Sequence, residues 1–487
     1  MPESPQTPEF AQARSSSVNV TASSTVAAHA GSAAPADPAQ ICAAWAATGR
    51  FSDYVVYERD GRWTFAADVA ARIVLTRTEV SVDTGGSTTS RRWADDPGAR
   101  PVDALTEAVA ALPMADWRLY GWIGFDFAAG HHGLGHLVAD DAVLAHLIVP
   151  RVELTVGEQG IDGIGLDDEL IAVAEAAADI ARTTPERTTP ARATPPVDID
   201  SDPYDYRGQV ASAVAEIAAG GYQKVIMSRH VDIPFTVDMP ATYARARVAN
   251  NPMRSYLVSL GGIETAGFSP ELVVSVTADG QVLTEPLAGT RPLGRSPEAD
   301  AAARDELLND SKEIVEHAVS VRACFSEIES IAEPGSTAVT EFMAIRERGH
   351  VQHLASTLRG TLRPDTGPWV ALSVLFPSIT ASGIPKAPAL DAIYRLEPIP
   401  RSLYSGAIMT ASSAGELEAT LVLRSVYAQG GQAWLRSGAG VVEQSRPDRE
   451  FEETCEKLAG LAPFIVAARD GDQSAGSDQP AGTNGSL

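Results

Sequence analysis

Hydrophobic and polar positions follow one another along the chain in short runs, and these runs predict both strands and helices. In the first part, about residues 40–181, strand patterns occur in RWTFAA, LYGWIGFDFA and HLIVPRVELTV, and DDELIAVAEAAADIA has helical periodicity. The second part opens with a helix, for which Asp202 is placed as the N-cap, Pro203 suits the first turn and Gly220–Gly221 marks the end.

The rest of the second part alternates further strand and helix patterns. Runs rich in β-branched and aromatic residues predict strands at 222–231, 256–260, 271–277, 419–428 and 432–437. Helical periodicity covers about 298–332, 341–346, 369–376 and 447–468. Because these elements interleave without the regular βαβ spacing of a doubly wound sheet, we expect a mixed α/β or α+β fold.

Composition, charge and motifs narrow the class of protein. The chain has 487 residues, of which 44% are hydrophobic and 21% charged, as in a globular protein with a large core. Its net charge of −25 argues against nucleic acid and anionic membranes as partners, because both require a basic surface. The sequence has no GxxxxGKS/T loop, no GxGxxG between a strand and a helix and no GxSxG elbow. Nucleotide-driven and serine-hydrolase chemistry therefore lack their usual motifs.

Cysteine usage and the terminal sequence predict a cytoplasmic protein. Cys42, Cys324 and Cys455 lie far apart, so they form neither a disulfide framework nor a CxxC metal motif. No apolar run approaches the ~18–20 residues of a membrane span. The N-terminus also lacks the basic start and apolar block of a secretory signal.

Three segments are too poor in large apolar side chains to form a packed core. Residues 1–38 and 470–487 are expected to be disordered tails. The Pro- and Thr-rich stretch RTTPERTTPARATPP, which begins the segment 182–202, is expected to be a linker or an exposed loop. The folded part of the chain is therefore placed at 39–469.

Carboxylates at three-residue spacing occur on two separate predicted helices. Glu313 and Glu316 share one helical face, and Glu450 and Glu453 repeat the spacing. Carboxylates that converge on one site repel each other unless a hard cation lies among them, and oxygen ligands favour magnesium or calcium over zinc. The same spacing is typical of solvated acidic helix faces, so the pattern alone leaves both interpretations open.

Two side chains are candidates for proton transfer. Lys224, in GYQKVIMSRHVDI, lies on one face of a predicted strand; such a lysine is usually at the surface, but a partly buried one can serve as a general base. Glu271 follows a Ser-Pro turn at the start of a predicted strand. Positions of this kind hold catalytic acids and, more often, solvated carboxylates.

Other residues have the chemistry to bind an anion. The loop TEPLAGTRPLG places Gly289 and Thr290 where backbone N–H groups can approach one. Arg424 interrupts the apolar run ATLVLRSVYA, so its guanidinium needs a carboxylate from a protein side chain or from a ligand. Further candidates, each of which also suits a turn, core or surface role, are Gly438, Gly440, Tyr404 and His353.

A series of motifs makes the family resemblance specific. SPELVV, TEPLAGTRPLG, SKEIVEH, VQHLASTLRG, PSITASGIPKAPA, YSGAIM, LVLRSVYAQ and SGAGVVEQSRPDREFEETCEKL occur in this order. They resemble the chorismate-utilising enzymes, which comprise anthranilate synthase large subunits, aminodeoxychorismate synthases, isochorismate synthases and salicylate synthases. The resemblance is dense from about 204 to 465 and extends more weakly to YGWIGFDFA. It implies one large α/β unit at 39–469 of the anthranilate synthase large-subunit type, with sheets packed face to face and helices outside.

The resemblance also implies a subtype. Family members that add water carry a lysine at the position of Lys224, whereas ammonia users carry glutamine, and aminodeoxychorismate synthases carry a nucleophilic lysine where this chain has Ala288. TASGIPKA and VLRSVYA resemble the salicylate synthases of siderophore pathways, which convert chorismate through isochorismate to salicylate and pyruvate. One alternative is an isochorismate synthase that stops halfway, and another is a non-catalytic chorismate-binding subunit. No amidotransferase segment is visible, so we expect a monomer without an amidotransferase subunit.

The resemblance finally implies roles for the candidate residues. Glu316 and Glu453 would hold magnesium directly, with Glu313 and Glu450 acting through water. Catalysis would use Lys224 as the base that activates water and Glu271 as the acid that protonates the departing hydroxyl. Arg424 and Tyr404 would hold the enolpyruvyl carboxylate, Gly289, Thr290, Gly438, Gly440 and Lys457 would complete the anion cradle, and His353 would line the site.

Overall fold

The computed structural model describes residues 26–27, 37–96, 98–158, 160–183, 195–294, 296–349 and 351–469. The C-terminal tail expected at 470–487, nearly all of the N-terminal tail expected at 1–38 and much of the Pro- and Thr-rich segment lie outside these residues. Within the N-terminal segment, a helix begins at Pro38 with Asp37 as its N-cap, and Val26–Ala27 form a short strand.

Ten α-helices are formed by the described residues. They are α1 (Pro38–Ala47), α2 (Pro101–Ala110), α3 (Asp168–Thr183), α4 (Tyr206–Ala218), α5 (Met239–Ala249), α6 (Pro297–Asn309), α7 (Ser311–Ile331), α8 (Pro368–Leu375), α9 (Lys386–Leu396) and α10 (Pro447–Ala459). Among the residues that the structure describes, no helix combines the length and the apolarity needed to cross a membrane.

The same residues form twenty-one strands. They are β1 (Val26–Ala27), β2 (Tyr54–Arg59), β3 (Arg62–Thr76), β4 (Glu79–Asp83), β5 (Thr88–Arg92), β6 (Arg118–Ile123), β7 (Val143–Gly157), β8 (Gly160–Ile164), β9 (Lys224–Ile233), β10 (Arg254–Leu260), β11 (Ile263–Ser269), β12 (Leu272–Val276), β13 (Gln281–Thr284), β14 (Leu287–Pro292), β15 (Ala338–Arg348), β16 (Val351–Thr361), β17 (Gly383–Ile384), β18 (Ala407–Ser412), β19 (Leu417–Leu421), β20 (Ser425–Gln429) and β21 (Gln432–Val441).

The strands pair antiparallel in two sheets that share the long strands β3 and β7. The first sheet has the order β1-β8-β7-β3-β2-β10-β11-β20-β21-β9-β17. The second has the order β5-β4-β3-β7-β6-β18-β19-β12-β13-β16-β15, and β14 also pairs with β16. Both β3 and β7 have 15 residues. One half of β3 pairs with β2 and the other with β4, and one half of β7 pairs with β8 and the other with β6. One half of each strand therefore belongs to each sheet.

A buried apolar cluster lies between the two sheets. It combines Val55 and Tyr256 of the first sheet with Tyr120 and Ile408 of the second. Helices cover the outer faces: α1 and α5 contact the first sheet, α2, α7 and α8 contact the second, and α4, α9 and α10 pack on β9 and β21. Face-to-face sheets with outer helices confirm the expected α+β architecture.

One predicted helix is a strand. The segment 341–346 is part of β15, which pairs antiparallel with β16 and contains two β-bulges, between Val339 and Glu341 and between Glu341 and Ala344. Its Met, Ala, Arg and Glu residues favour a helix locally, but pairing with a buried neighbouring strand overrides that preference. The helix prediction there was therefore wrong.

Other predicted elements have different boundaries in the structure. The strand at 419–428 is two strands, β19 and β20, because Arg424 has a left-handed backbone with φ 51°. The helix at 298–332 divides into α6 and α7 at Asp310, whose carboxylate caps α7 by accepting from the N–H groups of Lys312 and Glu313. The last helix, predicted to reach 468, ends at Ala459.

The sequence predicted Asp202 as the N-cap of helix α4, but the helix begins three residues later. Asp205 is the N-cap of α4, and the carboxylate of Asp202 accepts from the N–H groups of Tyr206 (2.7 Å) and Arg207. Gly220 follows the helix with φ 83°, in agreement with the predicted end.

Candidate active site

Residues of β9, β14 and β21, of helices α7 and α10, and of the turn before β17 surround a large cavity. Its empty volume is about 910 Å³, including the space open to solvent. Glu313 and Glu450 are the predicted site residues that do not line it. Those that do are Lys224, Glu271, Gly289, Thr290, Glu316, His353, Tyr404, Arg424, Gly438, Gly440, Glu453 and Lys457.

Lys224 is a buried lysine, not a surface one. It is the first residue of β9 and is 3% exposed. Its Nζ lies 2.8 Å from Glu316 Oε1 and donates to Ser320 Oγ at 3.3 Å. Since Glu316 and Ser320 are one turn apart on α7, this helix face holds the amine in the cavity.

Glu271 is a buried carboxyl directly before β12, with 2% exposure. Its Oε1 accepts from the hydroxyl of Ser378 at 2.6 Å and from that of Thr380. Burial raises the pKa of Glu271 to about 7, although both hydrogen bonds and the nearby Lys224 act to lower it. A carboxyl group with a pKa near neutrality can hold a proton and release it at physiological pH.

Arg424 and His353 form a polar pair at the cavity wall. The Nη2 group of Arg424 lies 2.6 Å from His353 Nε2, and because a guanidinium only donates, this nitrogen accepts. The Nδ1 of His353 therefore carries the proton, and it lies 3.2 Å from the carbonyl of Gly289 and 3.1 Å from the hydroxyl of Thr290. Burial, with Arg424, lowers the pKa of His353 well below its usual range, so the ring is neutral.

Arg424 has no carboxylate partner among the residues that the structure describes. Its Nη1 donates to the carbonyl of Arg348 at 3.0 Å. Burial lowers the pKa of Arg424 to about 10, and the positive charge of Arg348 contributes. The sequence left open whether Arg424 binds a carboxylate of the protein or one of a ligand. Because none of the described residues supplies the carboxylate, a ligand is the remaining partner.

Three glycines bring the backbone close to the reactive side chains. Gly438 and Gly440 lie within β21, which extends beyond the strand predicted at 432–437, and they pair with Ser228 and Ile226 of β9. A Cβ at Gly438 would be 2.9 Å from the Tyr404 hydroxyl, and one at Gly440 would be 2.7 Å from Glu316 Oε1. Gly289 has φ 77° at a bulge of β14, where a loop was predicted. A side chain at these positions would displace functional groups.

The four glutamates of the predicted metal site each have a basic neighbour. Glu316 pairs with Lys224, and the carboxylates of Glu453, Glu313 and Glu450 lie 2.8, 3.2 and 3.7 Å from Lys457, Arg291 and Lys312, respectively. Across the described ranges, no three acidic, His or Cys side chains are close enough to share one ion. The sequence predicted the four acids but not these cations.

Glu450 is nevertheless poorly satisfied. It is 1% exposed, and its Oε2 has no hydrogen-bond partner among the residues described. Burial and the charge of Glu453 raise the pKa of Glu450 to about 6, and burial with Glu316 raises that of Glu313. Crowded carboxylates with an orphaned buried oxygen fit a hard divalent cation, because such ions prefer oxygen ligands.

Sequence reasoning missed several residues that line the cavity or hold its side chains. Ser378 and Thr380, which hold Glu271, lie more than 100 positions from it, and no local pattern links them. Arg436 lines the cavity and pairs with the buried Glu397 at 2.6 Å, which also binds Arg401 at 2.6 Å. Arg436 could have been predicted from the sequence. It interrupts the apolar run of β21, just as Arg424 interrupts the apolar run ATLVLRSVYA.

Comparison with known proteins identifies the family. The profile of the chorismate binding enzymes matches residues 53–463, so the chain belongs to this family. It is 46% identical over 438 residues to the salicylate synthase of Mycolicibacterium paratuberculosis, covering 89% of this chain and 94% of that one. It is 37% identical over 275 residues to anthranilate synthase component 1 of Methanothermobacter thermautotrophicus, covering 56% and 58%.

Solved structures have the same fold. Anthranilate synthase component I from Streptococcus pneumoniae superposes with a TM-score of 0.66 at 24% identity, covering 84% of this chain and 92% of that one. MenF, the menaquinone-specific isochorismate synthase of Escherichia coli, gives a TM-score of 0.66 at 21% identity and covers 87% and 90%. The predicted family and the predicted fold are both confirmed.

Proposed function

We propose that this protein is a salicylate synthase that converts chorismate through isochorismate to salicylate and pyruvate. The observation that carries the proposal is the combination of a buried amine, Lys224, and a buried carboxyl, Glu271, in one cavity where Arg424 has no carboxylate partner among the described residues. The similarity to a salicylate synthase over nearly the whole chain supports it. An acid, a base and a guanidinium whose charge no described carboxylate neutralises suit a substrate with carboxylates and a leaving hydroxyl.

In the first step, Lys224 and Glu271 move protons. Lys224, acting as the base, takes a proton from a water molecule, whose oxygen bonds to the ring carbon beside the ring carboxylate. The ring double bonds shift, and Glu271 donates its proton to the departing hydroxyl, which leaves as water. One water is consumed and one released, so isochorismate is an isomer of chorismate. The raised pKa of Glu271 keeps this proton available near neutral pH.

The substrate is held by cations and backbone groups of the same cavity. Arg424 and Tyr404 bind the enolpyruvyl carboxylate, and Lys457, which donates to the carbonyl of Gly438 at 2.9 Å, contributes a second positive charge. The remaining cradle comprises Gly289, Thr290, Gly440 and the neutral ring of His353. Because the glycines have no side chain, the backbone leaves room in the cavity for the planar ring of the substrate.

Magnesium suits the acidic side of the cavity. Glu313, Glu316, Glu450 and Glu453 are the residues that would hold it, as the orphaned oxygen of Glu450 suggests. When bound, the ion supplies the positive charge that lets a dianionic substrate approach four carboxylates. Lys224 and Lys457 pair with Glu316 and Glu453 in this structure, so the carboxylates that would hold the ion also hold these two amines in the cavity.

The second step requires positioning more than acid or base groups. The ring C–H bond and the C–O bond to the side chain break, and the hydrogen transfers to the methylene carbon of the enolpyruvyl group. Salicylate and pyruvate are the products. Arg424 and Tyr404 hold the side-chain carboxylate during this transfer, so the methylene stays close to the ring hydrogen.

The proposal extends to the context of the enzyme. Lys224 and Ala288 favour water over ammonia as the nucleophile, so the chain works without an amidotransferase subunit and as a monomer. We place it in the cytoplasm and assign its salicylate to siderophore biosynthesis. Size-exclusion chromatography of the purified protein would test the monomer, since elution at twice the expected mass would contradict it.

A product assay tests the central claim. Purified protein is incubated with chorismate and magnesium, and the products are followed by mass spectrometry. We expect salicylate and pyruvate in equal amounts. Isochorismate that accumulates without salicylate would identify an isochorismate synthase instead, and binding of chorismate without turnover would identify a non-catalytic subunit.

A further inference from the structure

A second, smaller cavity adjoins the first. Its empty volume is about 370 Å³, including the space open to solvent. Both cavities are lined by Arg424, Lys457 and Leu461. The outer one adds the half-buried Arg348 and the exposed Glu456. It therefore lies beside the end of the main cavity where Arg424 is found.

The outer cavity has an excess of positive charge. Arg348 and Arg424 are near enough that Arg348 lowers the pKa of Arg424. Within the described ranges, no ion pair joins either arginine to a carboxylate, and the Nε of Arg348 is buried without a hydrogen-bond partner. Two unpaired guanidinium groups in a partly dry cavity are unfavourable unless an anion neutralises them.

The acids near this cavity are engaged elsewhere. Glu456 lies 3.1 Å from Arg449, on the same helix. Glu285, whose charge acts on Arg348, accepts a hydrogen bond from the hydroxyl of Thr357 at 3.3 Å. Among the described residues neither acid is paired with Arg348 or Arg424, so no carboxylate there neutralises the two guanidinium groups.

We propose that the cavity around Arg348 is a subsite for a small carboxylate, which the pyruvate product enters as it leaves the main cavity. This proposal rests on the proposed function. Pyruvate is selected over salicylate because it carries the carboxylate that Arg424 holds during the reaction, and Arg348 is the next cation along the wall. A planar guanidinium matches a carboxylate with two hydrogen bonds, and the orphaned Nε of Arg348 supplies one donor.

The side chain of Arg348 can be changed without losing its structural contact to Arg424. That contact uses the backbone carbonyl of Arg348, which accepts from Arg424 at 3.0 Å. Within the part of the chain that the structure describes, the Nη1 group of Arg348 donates only to the neighbouring carbonyl of Glu347, at 3.0 Å. Arg348→Gln therefore removes the charge with little effect on the wall, and Arg348→Lys keeps the charge. Arg359→Gln, at an exposed position of β16, is a matched control.

Pyruvate itself is the probe, and its binding to the resting enzyme is measured by ligand-observed NMR. We expect Arg348→Gln to weaken pyruvate binding about fivefold or more, as for the loss of one charge-assisted hydrogen-bonding group. The pyruvate affinity of Arg348→Lys should lie between the affinities of Arg348→Gln and the parent protein. Arg359→Gln should bind as the parent does. As a product inhibitor of turnover, pyruvate should lose potency in the same order.

The outcomes separate this proposal from the function on which it rests. Normal salicylate formation with equal pyruvate affinity in the parent and Arg348→Gln would overturn the subsite and leave the function intact. Absence of pyruvate binding to the parent protein would also overturn the subsite. Formation of isochorismate alone, with pyruvate binding that still depends on Arg348, would refute the function and leave a carboxylate subsite.

Discussion

Two regions of the chain, residues 37–183 and 195–469, contribute differently to the molecule. Every described residue that lines the main cavity belongs to the second region. The first region supplies the long strands β3 and β7 that join the two sheets, and it pairs with the second through β2–β10 and β6–β18. Changes in the second region should therefore alter chemistry, whereas changes in the first should alter stability.

Removal of magnesium is expected to have the largest effect on the second region. Without the ion, four crowded glutamates repel a dianionic substrate, so salicylate formation should fall to background in excess chelator and return when magnesium is restored. Independently of activity, magnesium should raise the unfolding temperature of the resting protein, because it binds the folded state. Glu450→Gln should reduce that shift. Full activity in excess chelator would refute the metal site.

Glu271→Gln should abolish most of the activity without unfolding the protein. The amide cannot donate the acid's proton to the leaving hydroxyl, and loss of such a group costs about 10²–10⁴-fold in kcat. Steady-state assays with chorismate measure the loss, and circular dichroism checks the fold. Glu264→Gln, an exposed position on the neighbouring strand β11, is the control and should retain full activity. Unchanged turnover in Glu271→Gln would show that another group is the acid.

Phe65→Ala, in the first region, should destabilise the protein and leave its binding of chorismate unchanged. Phe65 is fully buried in β3, and its ring packs against Trp45, Phe51 and Tyr54 at centroid distances of 5.5, 5.7 and 5.8 Å. Its removal should lower the free energy of unfolding by about 3–5 kcal/mol. The KM for chorismate of the remaining folded protein should not change. Phe65→Leu is the milder control, and a changed KM would show that the regions are coupled.

Much of the site was predictable because its residues carry unusual local signals. Arg424 interrupts an apolar run, and the paired glutamates have helical spacing, so both could be found from the sequence. The ion pair of Lys224 with Glu316 and the hydroxyl donors of Glu271 depend on contacts between distant segments, which no local pattern encodes.

The fold was predictable at the level of its class but not in its connections. Helical preference in 341–346 was overridden by pairing of β15 with β16. The break at Arg424 arises from a left-handed backbone that the apolar run around it does not reveal. Likewise, RWTFAA and HLIVPRVELTV predicted strands, but the 15-residue lengths that let β3 and β7 join both sheets follow from their pairing with each other.

The smallest expected effect is a pH-dependent gain of stability in Glu271→Gln. The pKa of Glu271 is about 7 in the folded protein against 4.5 for a solvent-exposed glutamate, as in the unfolded chain, so the folded state binds its proton more tightly. This contribution to stability is complete below pH 4.5 and is lost as the pH rises through 7. Gln does not titrate, and its side-chain oxygen can still accept from Ser378 and Thr380.

The stability difference between the variant and the parent should therefore grow from pH 5 to pH 7 and then level off. The maximum should be on the order of 3 kcal/mol in favour of Glu271→Gln. Urea unfolding of both proteins at several pH values measures this difference. The contributions of other titrating groups, such as Glu450, cancel in the difference because both proteins contain these groups. A difference that does not vary with pH would mean that Glu271 is ionised throughout, and it would remove the physical basis for its role as the acid in the second region.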